Sequence, residues 1–157
     1  DTHGGSIRVY STKNKRTRIQ KSVNEFLKNE DLSGLHEFKT YKKFAEKIKN
    51  EKIKTIEKVT NLINENNTII GYGAPAKATT VLNYFGLSNK EIEFTLDDNI
   101  LKQNKIIPGT NIKILKPDTL NKNKKIDYVI ILAWNYFDQI KEKMQPIFPN
   151  SKFIKLR

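Results

Sequence analysis

Two spacings of apolar residues divide the chain. Between Ile19 and Ile63 they recur at helical spacing, with lysines and glutamates between them. From Thr68 onward they come as short runs broken by Gly, Pro, Asn and Asp. The first pattern predicts helices. Ile19, Val23, Phe26 and Leu27 share one face of a short amphipathic helix, and Asp31-Leu-Ser-Gly34 is turn material. A long helix follows from about Leu35 to Asn66, carried by Phe38, Tyr41, Phe44, Ala45, Ile48, Ile56, Val59, Leu62 and Ile63. At ~1.5 Å per residue it would reach about 45 Å, more than a small domain spans. Its first half is therefore expected to pack on a neighbouring domain or a second subunit. Two helices broken near Asn50 are the alternative.

The second pattern predicts strands alternating with helices. Thr68–Gly71, Glu93–Leu96, Asn111–Leu115, Asp127–Ala133 and Lys152–Leu156 read as strands, with helices over Pro75–Phe85 and Tyr136–Ile147. The run DYVIILA is nearly all apolar, as a central strand covered on both faces requires. Such alternation predicts an α/β fold: a Rossmann-like, doubly wound, mostly parallel sheet preceded by a helical arm with one long helix. Three segments result: residues 1–18 as a tail and basic linker with a short β-prone stretch at Ser6–Tyr10, 19–66 as the helical arm, and 67–157 as the Rossmann-like domain.

One junction carries chemistry. Gly71-Tyr72-Gly73-Ala74-Pro75-Ala76 fits the G-x-G-x-x-A pattern at a strand-to-helix turn. The first glycine permits a tight turn, the second lets a ligand approach the backbone, and Ala76 lets helix and strand pack closely. The N–H groups and dipole of the following helix favour an anion there, and Lys77 adds a full positive charge. Asp97 and Asp98 stand about where an acidic residue follows this fingerprint at the tip of the next strand. A plain tight turn without a ligand fits the same residues. Trp134 and Asn135 cap the strand DYVIILA and are expected to face the same crevice, although Trp134 could be core and Asn135 an N-cap. Lys102-Gln103 followed by Pro108-Gly109-Thr110 is expected to fold over that crevice.

Composition narrows the field. The chain has 157 residues, 29 Lys and Arg against 17 Asp and Glu, and a net charge of +12. The lysines are scattered, and neither an RNP motif nor a basic heptad region is present, so a nucleic-acid module is not expected. No apolar run approaches the ~20 residues of a membrane span, and no signal peptide is visible. The chain has no cysteine, which excludes thiolate metal sites and disulfides within it. A cytoplasmic setting is expected. The start on Asp1 without a methionine suggests a piece of a longer protein.

Taken together, HGGSIRVY, GYGAPAKATTVLNYFG, LDDNILKQNKIIPGTNIKI and DYVIILAWNY resemble the C-terminal domain of the S-adenosylmethionine-dependent sugar C-methyltransferases, which act on nucleotide-linked deoxysugars. The resemblance covers essentially the whole chain. It departs at Ala78, where the family often has glycine, at Ala74 and Pro75, where some members have acidic residues or histidine, at Asn104, where the family commonly has glycine, and at Asn111, where it commonly has histidine. It implies an upstream zinc-binding region and a central domain that binds S-adenosylmethionine, with residues 1–18 as the end of that methyltransferase domain and the linker from it, and with no cofactor or metal in this stretch. It also implies a nucleotide sugar lying between the central domain and this one. His3, in the HGGS motif, becomes the candidate base that removes a proton beside the sugar's keto group. Tyr72 becomes the candidate hydrogen-bond donor to the enolate oxygen. The candidate substrate-binding set is Gly71, Gly73, Ala74, Lys77, Asp97, Asp98, Lys102, Pro108, Gly109, Trp134 and Asn135. The expected partners are the nucleotide sugar and the preceding domain, with an oligomer through the long helix as a further option. Two other readings remain open: a nicotinamide-dinucleotide-binding oxidoreductase, and a non-catalytic docking module.

Overall fold

A computed structural model describes residues 5–14, 16–120 and 124–156. The chain divides into two compact units, Asp1–Asn50 and Glu51–Arg157. In the first, α1 covers Lys21–Leu32 and starts at Gln20 without a side-chain cap. The chain turns through Gly34, whose φ of +67° suits glycine. Tyr41 donates its hydroxyl proton to the carbonyl of Leu35 at 2.6 Å, tying the turn to the next helix. Ser6–Tyr10 is not a strand and pairs with none among the described residues. Helix α2 covers Phe38–Asn64 without a break near Asn50.

The second unit is built on five parallel strands in the order β3-β2-β1-β4-β5. They are β1 (Ile69–Tyr72), β2 (Phe94–Leu96), β3 (Lys113–Leu115), β4 (Tyr128–Ile131) and β5 (Lys152–Lys155). Helix α3 (Ala76–Phe85) joins β1 to β2, and α4 (Phe137–Met144) lies between β4 and β5. The predicted elements of this unit are all present, most of them trimmed at their ends; β1 runs one residue past its predicted end, to Tyr72, and α4 stops three residues before Ile147. Both faces of the sheet are covered. On one, Ile69, Ile130 and Leu132 pack with Ala78 and Leu82 of α3 and with Val59 of α2. On the other, Ile70, Tyr72 and Val129 pack with Met144 and Phe148. This is why the run at β4 reads as continuously apolar: alternate residues serve opposite cores.

Strand order reverses between β1 and β4. The chain first moves outward through β2 and β3, then crosses back to the other side of β1. In open parallel sheets the crevice for ligands lies outside the carboxyl ends of the strands at such a switch point. Among the described residues, no helix is long and apolar enough to cross a membrane.

Candidate functional site at the tips of the central strands

The two glycines around Tyr72 serve different ends. Gly71 lies inside β1, where an added Cβ would meet Thr95 Oγ1 at 2.7 Å and Leu132 Cδ1 at 3.1 Å. It permits close packing beneath the sheet rather than the turn. Gly73 makes the turn: its φ is +85°, and a Cβ would stand 3.0 Å from that of Ala133 at the tip of β4. Its N–H donates to Leu96 O at 2.6 Å and its carbonyl accepts from Thr95 Oγ1 at 3.1 Å, which locks the β1 tip to β2.

The carboxylate of Asp97 fills part of the anion niche that the fingerprint predicts. It accepts from Ala74 N–H at 2.7 Å and from Asn99 N–H at 2.8 Å, with Lys102 Nζ at 3.4 Å. Gln103 Nε2 donates to Asp97 O at 2.9 Å. The Ala78 N–H is satisfied by Pro75 O at 2.9 Å. The N–H groups of Ala76 and Lys77 remain as those that a helix start does not pair within itself. Lys77 Nζ sits 4.7 Å from the centre of the Trp134 ring. Trp134 is half-buried in a short 3-10 turn with Asn135 and Tyr136, so it is not a core residue, and the start of α4 has Tyr136 rather than Asn135 at its cap.

Tyr72 points the other way, into the core beneath α4, and is 3% exposed. Its hydroxyl donates to Asp98 Oδ2 at 2.7 Å, and Lys143 Nζ donates to the same oxygen at 2.7 Å while standing 3.2 Å from the phenol. Burial, then the bond to Asp98, raise the tyrosine's pKa above its ordinary value, against the pull of Lys143. Partial burial raises that of Asp98, but the bonds from Lys143 and Tyr72 outweigh it, and the carboxyl ends below its ordinary value. The bond to Asp98 pushes Lys143 up, against partial burial.

Tyr72, Asp97 and Trp134 thus share one edge of the sheet but not one face. Two polar groups flank the tips of β1 and β2: Asp97, Ala74 and Lys102 with the Lys77–Trp134 pair on the α3 side, and Tyr72–Asp98–Lys143 on the α4 side. Pro108 and Gly109 do not join them. Pro108 O accepts from Asn83 Nδ2 at 2.9 Å, and Asn83 is two turns along α3 from its start, about 10 Å away. His3 lies outside the described residues. Lys143 escaped sequence reasoning because nothing distinguishes it among 29 basic residues. Asn104 and Asn111 have φ of +62° and +58°, the left-handed region that asparagine tolerates better than most residues. Among the described residues, no group of three His, Cys, Asp or Glu side chains could hold a metal ion.

A family profile described as the C-methyltransferase C-terminal domain matches residues 1–155. The chain is 34% identical over 151 residues to "C-methyltransferase NovU" of Streptomyces niveus, a match that covers 96% of this chain and 36% of that protein. It therefore spans about a third of the length of the curated relative it matches. The fold, the strand-tip motifs and a profile match along nearly the whole chain agree: this chain belongs to the C-methyltransferase C-terminal domain family.

Proposed function

We propose that this chain is the substrate-side wall of an S-adenosylmethionine-dependent C-methyltransferase, and that its substrate is a nucleotide-linked keto-deoxysugar. The observation that carries the reading is the Lys77–Trp134 pair beside the start of α3. An aromatic plane suits a nucleobase or sugar, and an ammonium beside the N–H groups of Ala76 and Lys77 suits a diphosphate. Gly73, Ala74 and Asn135 are proposed to line the same crevice, with Asp97 and Lys102 beneath it.

The residues here do not fit the methyl donor. A ribose held as in the dinucleotide fingerprint uses a strand-tip carboxylate, but Asp97 is turned onto its own loop and Asp98 onto Tyr72 and Lys143; the proposed nucleotide sugar is held instead at its base and diphosphate. The same commitment argues against a nicotinamide dinucleotide. The donor, and the zinc region that the resemblance implies, are assigned to the polypeptide preceding this stretch. Methyl transfer to carbon requires loss of the proton beside the keto group, and His3 is the proposed base, since imidazole titrates near neutrality. Tyr72 is assigned no part in this step: it lies beneath α4, 3% exposed and on the other face from the Lys77–Trp134 pair, with its hydroxyl proton given to Asp98.

The chain has one tryptophan, so its fluorescence reports on this crevice alone. Thymidine diphosphate and UDP-glucose should each quench it saturably, and Lys77→Ala should weaken binding about ten-fold, the loss of one charge-assisted contact. Unchanged emission at millimolar ligand, together with no labelled methyl transfer by the longer polypeptide to any 4-keto nucleotide sugar, defeats the reading.

A further inference from the structure

The first unit carries an apolar surface that its own residues do not cover. Val23, Phe26 and Leu27 on α1 are 46%, 55% and 53% exposed, and Phe38, Tyr41 and Phe44 at the start of α2 are 82%, 53% and 62% exposed. Their three- and four-residue spacing makes each set one face of its helix. Helix α1 buries no residue, and the only buried residue of α2 is Val59, in the second unit. A helix of 12 residues without a side-chain cap is marginal in water by itself. Exposed apolar faces on two successive helices mark a place where another surface docks.

We infer that the apolar face of α1 and the first half of α2 docks on the body of the longer methyltransferase polypeptide to which this domain is joined. The inference rests on the proposed function for the existence of that body. Three observations choose this occupant over a second copy of the chain. The matched relative has most of its length outside the stretch equivalent to this one, which covers 36% of it. The family description places this stretch at the carboxyl-terminal end, so the remaining polypeptide connects through the first unit. Linkage in one chain gives a covering surface an effective concentration of order millimolar, which a second copy lacks. Charge points the same way. Residues 5–50 contain twelve Lys and Arg against five Asp and Glu, so two copies meeting through this face would bring like charge together. The face fits an apolar groove with an acidic rim.

Hydrogen exchange over residues 21–49 tests this, measured in the 157-residue chain and in the longer polypeptide. The expected result is at least ten-fold slower exchange in the longer polypeptide, with β1 and β4 unchanged. Phe26→Glu combined with Phe44→Glu should abolish the slowing. Phe44→Lys alone should reduce it in part, which keeps the test readable if the double variant misfolds. Equal exchange in both proteins overturns the inference, as does sedimentation of the 157-residue chain as a dimer with the same residues protected. Labelled methyl transfer without this protection sinks the docking alone; protection without transfer to any nucleotide sugar sinks the functional reading alone.

Discussion

Removing the Asp98 carboxylate tests the network at the strand tips more directly than any other change. In Asp98→Ala, the Tyr72 hydroxyl loses the acceptor 2.7 Å away. Lys143, 3.2 Å from the phenol, offers only donors and cannot replace it. A buried donor left without a partner costs about 1–3 kcal/mol. The Lys143–Asp98 ion pair adds little, because its side chains are 53% and 58% exposed and pairs of that kind contribute about 0–1 kcal/mol. Water can enter where the exposed carboxylate stood, so the lower half of the first range applies, about 1–2 kcal/mol, and with the ion pair the total is about 1–3 kcal/mol. Tyr72→Phe removes the donor itself and leaves the ion pair in place, so its cost should be smaller, about 0.5–1 kcal/mol. In the double variant no stranded donor remains, and the two losses should add to less than their sum.

Urea unfolding of the four proteins measures these differences, and pH gives a second reading with a definite sign. Asp98 titrates below its ordinary value of 3.8 in the fold. Its contribution is therefore complete above that value and fades as pH falls through the folded pKa. Tyr72 and Lys143 titrate above 10.0 and 10.5 in the fold, so their contribution is complete below those values and fades as pH rises through the folded ones. The gap between wild type and Asp98→Ala should be flat from about pH 5 to 9 and narrow on both sides. A Tyr72→Phe loss larger than that of Asp98→Ala, or a gap equally wide at pH 2.5 and 7, would refute the assignment of Asp98 as the shared acceptor.

Gly71→Ala should destabilise by about 1–3 kcal/mol in thermal melts, because its methyl meets the Thr95 side chain at 2.7 Å, and Thr95→Ala should return part of the loss. Gly73→Ala should cost about 1–2 kcal/mol from the left-handed φ, with added crowding against Ala133; circular dichroism melts measure it. Lys77→Ala should change the emission of Trp134 while shifting stability by less than about 1 kcal/mol, the scale of an exposed cation–π contact. Asp127, held below its ordinary pKa by Lys125 and then by the Thr68 N–H, stabilises the edge of β1 above about pH 4; Asp127→Asn should narrow the acid side of the urea-unfolding profile.

The order of elements was legible in the sequence because each burial environment leaves its own periodicity. Tyr128–Ile131 serves two cores at once and so reads as an unbroken apolar run, while Val59, Leu62 and Ile63 serve one and so recur at helical spacing. Parallel strands joined in sequence then restrict the topology to a few arrangements, and the observed order is among them. The site was legible only along the backbone. The G-x-G turn and the Asp pair are consecutive residues at neighbouring strand tips, so pairing of β1 with β2 necessarily brings them together. Which carboxylate faces which helix depends on pleat, and a one-residue step moves a side chain to the opposite face. Tyr72 therefore goes down beneath α4 with Asp98, while Gly73 and Ala74 meet Asp97 on the side of α3. Lys143 comes from 45 residues beyond Asp98, a separation that periodicity cannot bridge, and Pro108-Gly109 is drawn to Asn83 by a side-chain amide that carries no pattern. The consequence is chemical as well as geometric. A fingerprint whose acidic residue elsewhere holds a ribose here turns both carboxylates onto groups of the same chain, and on the proposed reading the ligand-facing chemistry falls to Lys77 and Trp134. On the proposed reading a nucleotide sugar is held at this edge by stacking and positive charge rather than by a carboxylate, so Asp98→Ala should lower stability while leaving UDP-glucose affinity within about two-fold, whereas Lys77→Ala should do the reverse.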